Sequence, residues 1–212
     1  MKKFLMAALV LSFVLGTAAM ASAVSILPGQ DLPAGSTVAI SGATLIVPEV
    51  STAWSVPITG GYFKGTLSTW VYQDDTDKNL IFAYQVYNDA DSKDSVDRLT
   101  AIGYYGFTTD MNYQSASVSP VYIDRKANGD TIGWDFKYGS LGTYIPAGSY
   151  SSVLWVETDA YYYTNQMVGI IDGQTVNTPS YGPAVPEPTT MAFLGFGLLG
   201  LGARKLRKRF KA

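Results

Sequence analysis

Apolar and polar side chains alternate with a period of two along most of the stretch from Ser36 to Asn177, the spacing of half-buried β-strands. The clearest case is Thr131 to Tyr138, where Ile132, Trp134, Phe136 and Tyr138 share one face and Thr131, Gly133, Asp135 and Lys137 the other. Asn128-Gly129 precedes it, and both residues tolerate the positive φ of a type I′ turn, so Ser117 to Asp124 is the expected hairpin partner. Asn79 to Asn88 sets Leu80, Phe82, Tyr84 and Val86 against Ile81, Ala83, Gln85 and Tyr87. Gly65 to Gln73 sets Leu67, Thr69 and Val71 against Ser68, Trp70 and Tyr72. Further strands are expected at Asp97 to Phe107, at Ser151 to Thr158, and at Met167 to Ile171, the last returning through Asp172-Gly173 to Gln174 to Asn177. An earlier pair is expected within Ser36 to Pro48, broken at Ser41-Gly42. Helical spacing is absent from this middle section. About ten strands with closely spaced turn signals predict an all-β fold, an antiparallel β-sandwich of jelly-roll or immunoglobulin-like type.

The pattern changes at both ends. Lys2 and Lys3 precede the apolar run Phe4 to Ala19, and Ala21-Ser22-Ala23 supplies the small side chains that signal peptidase requires. Residues 1–23 are therefore expected to form a signal helix, with cleavage between Ala23 and Val24 and the sandwich occupying 24–176. Past Asn177 the text TPSYGPAVPEP is proline-rich and aperiodic, and 177–188 is expected to be an extended stalk. The apolar run Thr189 to Ala203 follows as a single transmembrane helix, with residues 204–212 as a basic cytoplasmic tail. As a helix that run reaches only about 22 Å, short of the ~30 Å hydrocarbon core. Gly195, Gly197, Gly200 and Gly202 weaken it further. It suits temporary residence better than permanent anchoring.

Composition narrows the chemistry. The chain has 212 residues and neither cysteine nor histidine, which excludes disulfides, thiolate and imidazole metal sites, cysteine nucleophiles and Ser-His-Asp triads. Between Val24 and Pro188, seven basic side chains stand against all 17 acidic ones, a formal charge of -10. Such a domain repels phosphate backbones, so nucleic acid is not an expected partner. Glu49, Glu157 and Asp135 are the carboxylates a glycosidase could use, but nothing in the sequence pairs them, and no enzyme activity is expected.

Two sets of side chains carry candidate binding chemistry. Asp74, Asp75 and Asp77 lie in one loop and Asp89, Asp91, Asp94 and Asp97 in another, at opposite ends of one strand. Neither loop has the helix-loop-helix calcium pattern. No cofactor is required, and Asp89, Asp91 and Asp94 are the candidate calcium ligands. Exposed aromatic rings can stack on sugars. Trp54, Trp70, Tyr104 and Tyr105 are candidates, and Tyr161, Tyr162 and Tyr163 are the chosen carbohydrate contacts, since three consecutive rings cannot all face the core.

Pro186-Glu187-Pro188, the short Gly- and Leu-rich span, and the cluster Arg204, Lys205, Arg207, Lys208 and Arg209 come in the order that resembles the PEP-CTERM sorting signal of Gram-negative bacteria that make exopolysaccharide. The resemblance implies that an exosortase-type membrane enzyme reads the Pro-Glu-Pro triplet and removes the tail. It further implies a surface or biofilm-matrix protein, exported by way of signal peptidase, held briefly in the inner membrane with its N-terminus outside, and exposed to extracellular polysaccharide. A surface-displayed carbohydrate-binding module is the alternative.

Overall fold

A computed structural model describes residues 23–35, 37–115 and 117–185. These residues form strands and turns, and among them no helix is long and apolar enough to cross a membrane. The expected signal helix, the Pro-Glu-Pro triplet, the transmembrane helix and the basic tail lie outside the described residues, apart from Ala23 of the signal segment.

The strands are β1 (Val24–Ser25), β2 (Asp31–Pro33), β3 (Ala43–Ile58), β4 (Gly61–Asp74), β5 (Leu80–Asn88), β6 (Arg98–Ala101), β7 (Thr109–Gln114), β8 (Tyr122–Arg125), β9 (Ile132–Asp135), β10 (Lys137–Tyr138), β11 (Leu141–Gly142), β12 (Val153–Thr158), β13 (Tyr163–Asp172) and β14 (Gln174–Pro183). They build two six-stranded antiparallel sheets, ordered β1-β7-β12-β5-β4-β3 and β14-β13-β6-β9-β8-β2, plus the small hairpin β10-β11. One core lies between the sheets. Leu67, Val71, Phe82, Tyr84 and Leu154 from the first sheet and Leu99, Trp134, Val168 and Ile170 from the second are fully enclosed in it. The alternation along β4 and β5 thus delivers the side chains it predicts, and Asn128-Gly129 does lie in the turn that joins β8 to β9, but only Gly129, at φ 73°, has the positive φ that a type I′ turn asks of both residues.

Several expectations are corrected: the strands expected over Ser117 to Asp124 and Asp97 to Phe107 shorten to β8 and β6, and β7 is a strand that the alternation did not signal. The pair expected within Ser36 to Pro48 is replaced by a single 16-residue strand β3, hairpinned to β4 through Thr59 and Gly60. Its alternation is blurred by Pro48, Pro57 and register shifts between Leu45 and Val50. Residues 37–42 instead cross the outer face of the first sheet as a strap. Thr131 to Tyr138 divides into β9 and β10, and Tyr138 turns outward to stack on Tyr122 at 4.1 Å. The stretch Thr109 to Gln114, which has little alternation, is the strand β7. The stalk is the largest difference, because 177–183 belongs to β14, paired with β13 as far as Tyr163↔Pro183. Proline breaks a central strand but is tolerated where its missing N–H faces open solvent, and β14 is a sheet edge.

The strap explains why β5 is apolar on both faces. Val38 and Ile40 lie over Ile81, Ala83, Trp155 and Trp70, and the Trp155 indole N–H donates to the Val38 carbonyl at 2.9 Å. A second, smaller dry layer covers part of a face that would otherwise be wet.

Candidate functional site

The two ends of the body differ in chemistry. At one end β14 runs out beside the β12–β13 connection, where the Ala184 amide donates to the Tyr162 carbonyl at 2.9 Å. Tyr161, Tyr162 and Tyr163 are 60%, 59% and 43% exposed. Tyr105 joins Tyr163, Gln166 and Val185 around a hollow of about 490 Å³. All three tyrosines therefore reach solvent, more than the one exposed ring that the sequence requires, and they lie beside the last residues of β14. Of the other aromatic candidates, Trp54 and Tyr104 are core residues, and the Tyr104 hydroxyl is bonded to that of Tyr84 at 2.7 Å.

The acidic loops sit at opposite ends of β5, as expected. Asp91 is held by Lys64 at 2.8 Å, a bond that pushes the lysine pKa up and the aspartate pKa down. Asp94 Oδ1 accepts from the Ser95 amide at 3.1 Å. Asp89, Asp91 and Asp94 do not form such a cluster, and among the described residues the three carboxylates whose oxygens lie within 4.8 Å of one another are Asp74, Asp77 and Glu157. Sequence spacing could show only two of these. Glu157 arrives through cross-strand register, opposite Ile81 on β5, which in turn faces Tyr72 on β4. Asp74 Oδ1 is engaged by its own turn, accepting from the Thr76 and Asp77 amides at 2.7 and 3.2 Å, and those bonds hold its pKa low. Burial pushes Glu157 up, assisted by Asp74, Asp77 and Asp110.

Two more carboxylates meet near the Gly173 turn. Asp97 Oδ1 and Asp172 Oδ2 are shielded from water, and no donor reaches them apart from a proton that the neighbouring carboxyls can themselves hold. Burial, then the neighbouring Asp94 and Asp97 carboxyls, raise Asp172 to about 7. On the outer face of the second sheet, Arg98 spans Asp124 and Asp135, the latter at 2.6 Å.

A polar cleft of about 230 Å³ lies on the outer face of the first sheet, beyond the strap, lined by Glu49, Ser51, Ser68, Gln85, Tyr87 and Tyr150. Register aligns Ser51, Ser68 and Gln85 across β3, β4 and β5. Glu49 Oε1 accepts from Ser51 at 3.0 Å and from Ser68 at 2.7 Å, and the Gln85 amide donates to the Ser151 carbonyl at 2.9 Å. The Tyr87 and Tyr150 rings lie 4.4 Å apart, 31° from parallel. Alternation did place Gln85 and Tyr87 on the outward face, but only the strand register and the later return of Tyr150 make them neighbours.

Comparison with known proteins adds a function to the exit end. Residues 184–208 match the PEP-CTERM protein-sorting motif, so the match begins one residue after β14 ends. This motif implies export, processing by an exosortase-type enzyme and sorting to the cell surface. The chain is also 29% identical over 147 residues to the uncharacterized protein YaiT of Escherichia coli (strain K12). That alignment takes in 66% of this chain but 14% of YaiT, so the chain spans about a seventh of that relative. No solved structure gives a significant match.

Proposed function

We propose that this protein is a non-enzymatic component of the cell surface or of an exopolysaccharide matrix, released from the membrane by removal of its C-terminal tail. The observation that carries this reading is the position of the sorting motif, which starts at Ala184 directly after the last strand. The described strands build the core between the two sheets and end at Pro183, so cutting after the triplet would leave those strands whole. The front end is compatible in the same way. Val24 opens β1, opposite Met111, so signal peptidase acting after Ala23 would leave the strand and the buried Ile26 in place. The polar clusters are engaged in structural bonds, which favours a binding or scaffolding role without a resident cofactor. Fractionation of the native host tests the proposal. The protein is expected at the surface or in the matrix in wild-type cells and in the inner membrane of cells lacking the exosortase-type enzyme. Surface delivery that ignores the enzyme contradicts it.

A second reading, a displayed carbohydrate-binding module, is favoured by the exposure of Tyr161, Tyr162 and Tyr163. Acidic character points the same way, toward neutral glycans rather than anionic ones.

A further inference from the structure

We infer that the cleft between Glu49, Gln85, Tyr87 and Tyr150 is a binding site for a neutral saccharide. The inference rests on the carbohydrate reading and moves its site away from the tyrosine run.

The outer face of the first sheet is divided. Where the strap crosses, Trp70, Ile81, Ala83 and Trp155 are covered and dry. Beyond the strap, the same face changes to Ser51, Thr66, Ser68 and Gln85, closed off by a tyrosine pair. A sugar ring has an apolar C–H face and a rim of hydroxyls, and it is held by an aromatic ring beside fixed polar groups. Tyr150 is 49% exposed and braced from behind by Tyr87, which limits the motion its ring would lose on binding. The polar groups are also fixed before any ligand arrives. Ser51 and Ser68 saturate Glu49 Oε1, leaving Oε2 to accept from a hydroxyl. Gln85 spends one amide N–H on Ser151, which fixes the amide and leaves its carbonyl oxygen to accept as well. Acceptors aimed into a cleft suit hydroxyl donors. A carboxylate or phosphate would meet Glu49 with no cation among the lining residues to offset the repulsion.

The fold also decides between the two aromatic sites. β14 carries the chain from Gln174 to Pro183 and delivers it to the sorting motif at the end that holds Tyr161 to Tyr163. Tyr87 lies near the opposite end of β5, beside Tyr150. The tyrosine run therefore lies beside the start of the sorting motif, at the Leu80 end of β5, and the cleft lies toward the other end of that strand.

Isothermal titration of the full chain, kept in a sugar-free zwitterionic detergent, tests the site with cellohexaose, laminarihexaose and mannohexaose, and with hexagalacturonate as the charged counterpart. At least one neutral oligosaccharide is expected to bind and the galacturonate to fail. Tyr150→Ala should weaken binding about tenfold, the loss of one aromatic contact. Tyr150→Phe and the double change Tyr161→Ala/Tyr162→Ala should leave it within about twofold, and Glu49→Gln reports on the hydroxyl contacts should Tyr150→Ala fold poorly. No binding across the neutral set, equal binding of the galacturonate, or loss confined to the Tyr161/Tyr162 variant overturns the site. Because the protein is purified, this result is independent of whether sorting follows the proposed route.

Discussion

The backbone amide of Ala184 donates to the carbonyl of Tyr162 at 2.9 Å, tying the last described turn of chain to the β12–β13 connection two residues before Pro186. The fold therefore continues to the threshold of the sorting motif. Thr178 and Ser180 are buried on β14, and Ser180 meets Thr69 at 3.3 Å across the two sheets. A chain ending at Asn177, the boundary that a stalk would permit, is expected to lose its cooperative thermal transition. One ending at Val185 should melt like the longer protein. Equal melting of both chains would return 178–185 to the status of a linker.

Arg125 is a buried cation satisfied almost wholly by backbone. Its guanidinium donates to the carbonyls of Gly129, Ile26, Tyr104 and Phe107 and to the Thr109 hydroxyl, at 2.7 to 3.4 Å. It thereby joins the β8–β9 turn to the N-terminal segment and to the 104–109 loop. Arg125→Met would leave carbonyls buried without donors, at about 1–3 kcal/mol each for those water cannot reach. We expect a loss of about 3 kcal/mol, or roughly 10 °C in Tm for a body of this size. A change below about 1 kcal/mol in denaturant titration would show that water replaces the guanidinium.

The Asp97–Asp172 contact makes stability depend on pH. Asp172 is raised in the fold to about 7 from the ordinary carboxylate value, by burial and by the Asp94 and Asp97 carboxyls. Asp97 is itself raised, chiefly by burial and further by Asp94 and Asp135, although its bond to Asp172 acts in the opposite direction. A carboxyl with a raised folded-state pKa favours the fold when protonated, so its contribution is complete below about pH 4 and is lost as pH rises toward 7. Asp172→Asn should therefore melt higher than wild type at pH 8, with the gap closing as pH falls to 4. Parallel melting curves across that range would contradict the placement of these two groups.

A role without a resident cofactor requires no metal. Lys64 already holds Asp91 Oδ2, and Asp74 Oδ1 is engaged by its own turn. Melting curves in chelator and in millimolar calcium should superimpose. A calcium-dependent rise that Glu157→Gln abolishes would instead identify Asp74, Asp77 and Glu157 as an ion site.

Much of this architecture is legible in the sequence wherever one face of a strand is wet. Leu67 to Val71 alternates because one side meets the core and the other does not, and along Leu80 to Val86 the core-facing set is read correctly although the strap buries Ile81 and Ala83 on the other side. It fails at β3, where register shifts interrupt the period, and at β14, where edge position excuses the prolines that look like a stalk. The cleft is partly visible in Gln85 and Tyr87. Glu49 and Tyr150 reach it only through pairing of distant segments, information that local spacing does not hold. The sorting signal is the opposite case, because its three parts are consecutive in the chain and can be read without any fold.

The most direct test of surface release is the intact mass of the protein recovered from the surface or matrix of its native host. The account predicts a chain that begins at Val24 and lacks the basic residues Arg204 to Lys211. A mature surface form that still carries its C-terminus to Ala212 would contradict it and make the tail a permanent anchor.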